Sequence, residues 1–165
     1  MTSSARDFDP QAQLRGAGLR VTAPRVAVLK ALAADPHSTA DDIASHVRGE
    51  LGSVSTQAVY DVLRACVGVG LVRRIEPAGS SALYETRAGD NHHHLVCRVC
   101  GRVTDVDCVV GAPPCLEPSD LGGFDVDEAE VVFWGTCIEC RATGNSSARP
   151  FSMAAQPQRG DEIEK

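Results

Sequence analysis

Apolar positions follow a helical period through Gly70 and a strand-like alternation after it. A short helix is predicted over Phe8–Gly16, ending at the turn Gly16-Ala17-Gly18. Thr22 is placed to cap a second helix with Pro24 in its first turn and Val26, Val28, Leu29 and Leu32 as its apolar residues. Asp35-Pro36 ends it. Thr39 caps a third helix, Ala40–Arg48, with Asp41 and Asp42 favouring its N-terminal dipole. Ser53 or Ser55 caps a fourth, which carries Val59, Val62, Leu63, Cys66 and Val67 before Gly68 and Gly70. Leu71–Ile75 and Ala82–Glu85 then read as strands joined by the loop Pro77-Ala78-Gly79-Ser80-Ser81.

Three helices, a fourth with a polar start and a β-hairpin make a winged helix-turn-helix pattern. The fourth helix would enter a major groove by its N-terminal end, with Ser55, Thr56, Gln57 and Tyr60 exposed. Arg73 and Arg74 would sit on the wing near phosphates. The plainer alternative is a small helical domain with a solvated polar helix.

The second half changes character. His94–Arg98, Val103–Asp107 and Glu130–Gly135 are strand-like, and Val109–Leu116 suits a short helix limited by Pro113-Pro114. The expected class is α+β: an N-terminal winged helix-turn-helix domain over residues 1–85, a linker at 86–90, and a small α/β domain over 91–141. Residues 142–165, rich in Ser, Gly, Pro and Gln, read as a disordered tail.

Net charge is -6, which at first argues against nucleic acid. The distribution reverses that: residues 1–90 hold 10 basic and 10 acidic groups, and residues 91–165 hold 6 and 12. The first half is therefore free to meet DNA and the second is not. No stretch approaches the roughly 20 apolar residues of a membrane helix, and no leader pattern opens the chain, so it reads as cytoplasmic. In that compartment paired cysteines bind metal or do redox work more often than they form stable disulfides.

Seven cysteines include Cys97-x-x-Cys100 and Cys137-x-x-Cys140. Four thiolates suit a closed, tetrahedral structural zinc. The 36 residues between the pairs suffice for a strand, a helix and a returning strand, so zinc would close a small domain. The competing reading is a pair of thiol-redox motifs. Asn91-His92-His93-His94 is the second signal. On a strand, His92 and His94 share a face, and two imidazoles suit iron, manganese or zinc; such runs also occur as solvated loops. His37, Glu85 and Asp105 are the partners that would build a five- or six-coordinate ferrous or manganous site joining the two halves. Taken singly, His37 reads as well as a helix cap or surface residue.

Over roughly Leu14–Cys140 the chain resembles the ferric uptake regulator family. The resemblance is carried by Gly18-Leu19-Arg20-Val21-Thr22-x-x-Arg25-x-x-Val28-Leu29, Gln57-Ala58-Val59-Tyr60-x-Val62-Leu63, Gly70-Leu71-Val72-Arg73, Tyr84-Glu85 and His92-His93-His94-Leu95-Val96-Cys97-x-x-Cys100-Gly101. It is most similar to the FurA type, also at Asp127-Glu128-Ala129-Glu130-Val131. That branch implies a repressor, not an enzyme, of a catalase-peroxidase gene and of its own operon, relieved by peroxide.

The resemblance further implies a homodimer, paired through the second domain, on a palindromic operator in double-stranded DNA. Tyr60 matches the family's base-contacting tyrosine and Arg20 its basic residue near the minor groove. His37, Glu85, His92, His94 and Asp105 match its regulatory site, which would take Fe2+ or Mn2+. Cys97, Cys100, Cys137 and Cys140 match its zinc site. Asp61 stands where the family often has Arg, and Glu85 where its peroxide sensors have Asp. Asn91, Ala112 and Ala129 replace ligands of a further site, leaving His93, so one regulatory site per subunit is expected.

The resemblance implies that peroxide oxidises His37 or His92 at the ferrous site. A Cys108–Cys115 disulfide is the thiol route, set against ordinary structural cysteines, and Cys66 reads as core. Rival readings are a thiol oxidoreductase, a metal-storage or delivery protein, and an iron- or zinc-uptake regulator that follows metal supply and not peroxide.

Overall fold

The computed structural model describes residues 8–77, 80–90, 92–108, 116, 118–126 and 129–144. Helix α1 spans Pro10–Gly16, α2 Ala23–Ala34, α3 Ala40–Leu51 and α4 Thr56–Gly68. Asp9 rather than Phe8 opens α1, because its carboxylate accepts from the Gln11 N–H at 2.9 Å. Thr22 occupies the cap position of α2 but makes no side-chain cap bond. At α3 the expected cap is complete: Thr39 accepts from the Asp42 N–H, and Asp42 reaches back to Thr39. This helix runs past Gly49 and stops at Gly52, one turn beyond the predicted end, since Gly52 takes φ 81°. Ser55, not Ser53, caps α4 by accepting from the Ala58 N–H at 3.1 Å.

Strand β1 (Ser38–Thr39), unforeseen in the sequence, pairs with β3 (Leu83–Glu85), which pairs on its other side with β2 (Arg73–Ile75). This three-stranded sheet closes the winged helix. Its core joins Leu14 of α1, Val28, Leu29 and Leu32 of α2, Ile43 and Val47 of α3, and Val59, Leu63 and Cys66 of α4, all but fully buried.

A second three-stranded sheet follows, with β4 (His92–Cys97) between β5 (Val103–Asp107), antiparallel to it, and β6 (Val132–Gly135), parallel to it. Helix α5 (Ile138–Ala142) ends the described chain and overlaps the segment assigned to the tail. The predicted helix over 109–116, apart from Leu116, lies outside the described residues, as do Asn91, Ala112, Cys115 and the tail from 145 onward. Among the described residues from His92 onward, only Val96 and Cys97 are buried hydrophobics. So small an apolar centre leaves this half in need of another source of stability. The α+β class and the winged helix followed by a second, smaller domain are as the sequence predicts. No helix among the described residues is long and apolar enough to cross a membrane.

Candidate functional site

Cys97 ends β4 and Cys100 follows in the turn over 98–100, which Gly101 closes by donating its N–H to the Cys97 carbonyl at 2.9 Å with a φ of 74° that suits glycine. The second pair is not a matching knuckle: Cys137 is the N-cap of α5 and Cys140 lies inside that helix. The four sulfurs lie within 4.8 Å of one another. Cys100 Sγ and Cys137 Sγ are 3.7 Å apart. Zinc–sulfur bonds of about 2.3 Å in a tetrahedron give sulfur–sulfur edges of about 3.8 Å. Backbone N–H groups of Cys137 and then Cys100 aim at Cys97 Sγ and bring its thiol down to about 6. Crowding by Cys137, with burial and the other sulfurs, pushes Cys140 up to about 12. Thiolates this close repel, and a dication in their midst removes the conflict. The quartet fits a structural zinc.

His37, Glu85, His94 and Asp105 each place a possible ligand atom within 4.8 Å of the others, and His92 lies at the edge of this group, its Nε2 3.1 Å from Glu85 Oε1. His37 lies in the turn between α2 and β1 with φ 64°, a left-handed conformation that costs a side-chain-bearing residue about 1–2 kcal/mol. Its N–H donates to the Tyr84 carbonyl at 2.9 Å, tying the turn to β3 beside Glu85. Glu85 is wholly buried, and His92 and His94 are nearly so. His92 and His94 share one face of β4, while His93 faces the other way and meets Phe133 edge-on at 6.2 Å. Asp105 stands opposite His94 in the β4–β5 register.

His37 Nε2 lies 2.7 Å from Asp105 Oδ1 and 3.0 Å from Glu85 Oε2. His92 Nε2 and His94 Nε2 approach Glu85 Oε1 at 3.1 and 3.5 Å. Yet His37 Nε2, Glu85 Oε2, His94 Nε2 and Asp105 Oδ1 are buried with no hydrogen bond. The spacing permits pairing; the angles do not, so these atoms converge without satisfying one another. Buried polar atoms left so are costly, and a shared cation would satisfy them together. Burial raises the Glu85 carboxyl, but His37, His94 and His92 overcome this and hold it at about 2. Burial likewise depresses His37, and Glu85 with Asp105 overcomes it, leaving the imidazole above its ordinary value. The cluster is thus electrostatically suited to a positive charge.

Sequence reasoning missed Asp90 and Arg87. Asp90 Oδ1 lies 2.7 Å from His92 Nδ1 and so turns Nε2 of that ring inward. Arg87 pairs with Asp90. Both lie in the segment read as a linker, and an acid two residues before a histidine run was the available signal.

Of the nucleic-acid candidates, Arg20, Ser55, Gln57, Tyr60 and Arg74 are exposed on the winged helix, and Thr56 and Arg73 are half-buried. Gln57 and Tyr60 project from the start of α4, Arg20 is exposed ahead of α2, and Arg74 is exposed on β2, with Arg73 half-buried beside it. Thr56 is half-buried rather than exposed, since Arg48 Nη1 donates to its hydroxyl at 3.3 Å. The Ser55 hydroxyl is occupied as the cap of α4. Asp61 Oδ1 accepts from Gln57 Nε2 at 3.0 Å and lies 3.5 Å from Arg64. Arg74 is engaged by Glu76 at 2.5 Å.

A winged helix whose own turn supplies one member of a charged cluster on the next domain is arranged so that a cation can join the two domains. Residues 16–109 match the model of the ferric uptake regulator family, and the chain belongs to that family. It is 57% identical over 138 residues to the transcriptional regulator FurA of Mycobacterium tuberculosis, covering 84% of this chain and 94% of that one. It is 30% identical over 139 residues to the peroxide-responsive repressor PerR of Staphylococcus epidermidis, covering 81% and 89%. Among solved structures it is similar to the ferric uptake regulator from Pseudomonas aeruginosa with manganese, with TM-score 0.61 and 26% identity, covering 79% of this chain and 99% of that one.

Proposed function

We propose that the chain is a metal-dependent, peroxide-responsive repressor that binds a palindromic operator as a homodimer in the cytoplasm, controlling a catalase-peroxidase gene and its own operon. The observation that supports this is the convergence of His37, from the winged helix, with Glu85, His94 and Asp105 in one cluster, with His92 beside them against Glu85. Three imidazoles and two carboxylates suit a ferrous or manganous ion in five- or six-fold coordination. A cation there ties the DNA-reading domain to the second sheet. That gives it different affinity for the tied and untied states, which a switch requires.

Residues 1–85 form the DNA-binding domain, 86–90 the connection and 91–141 the dimerisation domain. In the dimer, two copies of α4 reach successive major grooves about 34 Å apart. Tyr60 and Gln57 meet bases, while Arg20, Ser55, Thr56, Arg73 and Arg74 lie toward the backbone. When bound, ferrous ion supplies the reductant that turns peroxide into an oxidant of adjacent imidazoles. By the family resemblance, His37 and His92 are the residues exposed to that oxidation.

A second reading, an iron- or zinc-uptake regulator that follows metal supply and not peroxide, is favoured by Glu85, which stands where the family's peroxide sensors have Asp. A gel shift on the chain's own promoter, with ferrous or manganous ion, before and after peroxide, tests both. Metal-dependent binding lost on peroxide only with ferrous ion supports the first reading, and binding indifferent to peroxide supports the second. No shift with either ion overturns the repressor assignment. His92→Ala is expected to abolish metal-dependent binding and leave zinc in place.

A further inference from the structure

Arg87 lies in the connection between β3 and β4, and its guanidinium meets three carboxylates. Nε stands 2.5 Å from Asp90 Oδ2 and Nη1 3.6 Å from Asp105 Oδ2, while Nη2 pairs with Asp107 Oδ1. Two of these carboxylates turn their other oxygen toward the cluster. Asp90 Oδ1 holds His92 Nδ1 at 2.7 Å. Asp105 Oδ1 lies 2.7 Å from His37 Nε2, 3.8 Å from His94 Nε2 and 3.9 Å from His92 Nε2. Asp90 is thereby divided between the arginine and the His92 ring, whereas Asp105 meets the arginine through a looser 3.6 Å ion contact of its outer oxygen and turns its unbonded inner oxygen toward the imidazoles.

The division has a mechanical consequence. A guanidinium is planar and offers its donors in a fixed fork, so its hydrogen bonds to Asp90 and Asp107 set its plane, against which the outer oxygen of Asp105 lies. A point charge neutralises these carboxylates without fixing their planes. The Arg87 side chain is 38% exposed and that of Asp107 83%, so their pairing adds little to stability. Orientation is what the arrangement supplies.

We propose that Arg87 is a positioning residue for the cation of the His/carboxylate cluster: it holds Asp105 to a single ligand oxygen and, through Asp90, keeps Nε2 of His92 turned inward. This rests on reading that cluster as a divalent-cation site. Without Arg87, Asp105 is free to offer both oxygens and His92 loses its fixed ring orientation, so both coordination number and affinity change.

The test uses the full chain with zinc in the cysteine quartet and cobaltous ion alone as the probe. Arg87→Met is expected to weaken cobalt binding roughly 10–100-fold and to change its visible d–d spectrum. Zinc content and melting temperature stay as in the parent. Arg87→Lys keeps the charge and loses the fork, so its spectrum also departs from the parent's. Parent-like affinity and spectrum in Arg87→Met overturn the proposal, and so does full restoration of both by Arg87→Lys. Should Arg87→Met fail to fold, Arg87→Gln carries the same readouts. His94→Ala separates the two levels: if it keeps the parent cobalt spectrum, the cation is not at this cluster and the site reading itself falls. If His94→Ala abolishes the spectrum while Arg87→Met leaves it unchanged, only the role of Arg87 falls.

Discussion

His37 Nε2 and Asp105 Oδ1 stand 2.7 Å apart, one in the turn after α2 and the other on β5. Beside them lies Glu85, at the end of the wing strand, wholly buried and within reach of His37, His92 and His94. The meeting point of the two domains is therefore polar and charged rather than apolar. Such a junction holds firmly only when its charges are matched, which makes it a natural place for a switch.

His37 provides the first prediction because its backbone is as unusual as its side chain. At φ 64° a glycine is at ease and an alanine is not. His37→Ala and His37→Gly are both expected to lose metal-dependent DNA binding, since both lack the imidazole. Without regulatory metal, His37→Gly is expected to be the more stable of the two by about 1 kcal/mol. Urea denaturation of zinc-loaded protein measures it, and the reverse order would show that the turn relaxes out of the left-handed region.

Tyr60 separates DNA contact from folding. It is 40% exposed on α4, one residue after the fully buried Val59. Tyr60→Ala is expected to shift stability by no more than about 0.5 kcal/mol. Operator affinity is expected to fall roughly 10-fold or more, the usual scale of a lost base contact. A titration by fluorescence anisotropy checks this; unchanged affinity removes Tyr60 from the interface.

The winged helix was legible because its signals are local. The Thr39 and Ser55 caps, the Pro24 start and the apolar spacing of α2 to α4 all act within a few residues of themselves. Strand β1 was not, since two residues hold no period and Ser38–Thr39 become a strand only by pairing with Tyr84 and Leu83. The zinc cysteines were legible from spacing, but the helix carrying Cys140 was not, because α5 spans only Ile138–Ala142. His92 and His94 announced themselves as a pair. His37, Glu85 and Asp105 were candidates by chemistry, but their match to one site came from resemblance, for nothing in their spacing foretells a meeting that only tertiary structure creates. Arg87 and Asp90 were overlooked because a short polar segment between strands reads as a connection.

Cys66 tests the core. It is fully buried on α4, and burial pushes its thiol above the ordinary value, against the pull of Arg25. A thiol that is both inaccessible and protonated reacts poorly. Iodoacetamide at neutral pH is therefore expected to leave Cys66 unmodified in the native protein and to label it once denaturant is added. Mass mapping reads the outcome, and ready labelling of native protein would contradict the packing of α4 against α2.

Zinc removal shows how unequally the two clusters contribute to folding. Beyond His92 the described residues bury only Val96 and Cys97 as hydrophobics, whereas the winged helix has a core drawn from all four of its helices. Binding of structural zinc by small domains is worth about 10–16 kcal/mol. Cys137→Ser is therefore expected to lose zinc and to render residues 92–144 protease-sensitive, while the segment from α1 to β3 stays resistant and helical by circular dichroism. Metal-dependent DNA binding is lost with it, because β4 carries His92 and His94 immediately before Cys97. His94→Ala is expected to lose DNA binding alone, with zinc and protease resistance intact. If Cys137→Ser keeps a resistant second domain, the zinc is not what holds β4 in place, and the histidines owe their positions to contacts with the winged helix instead.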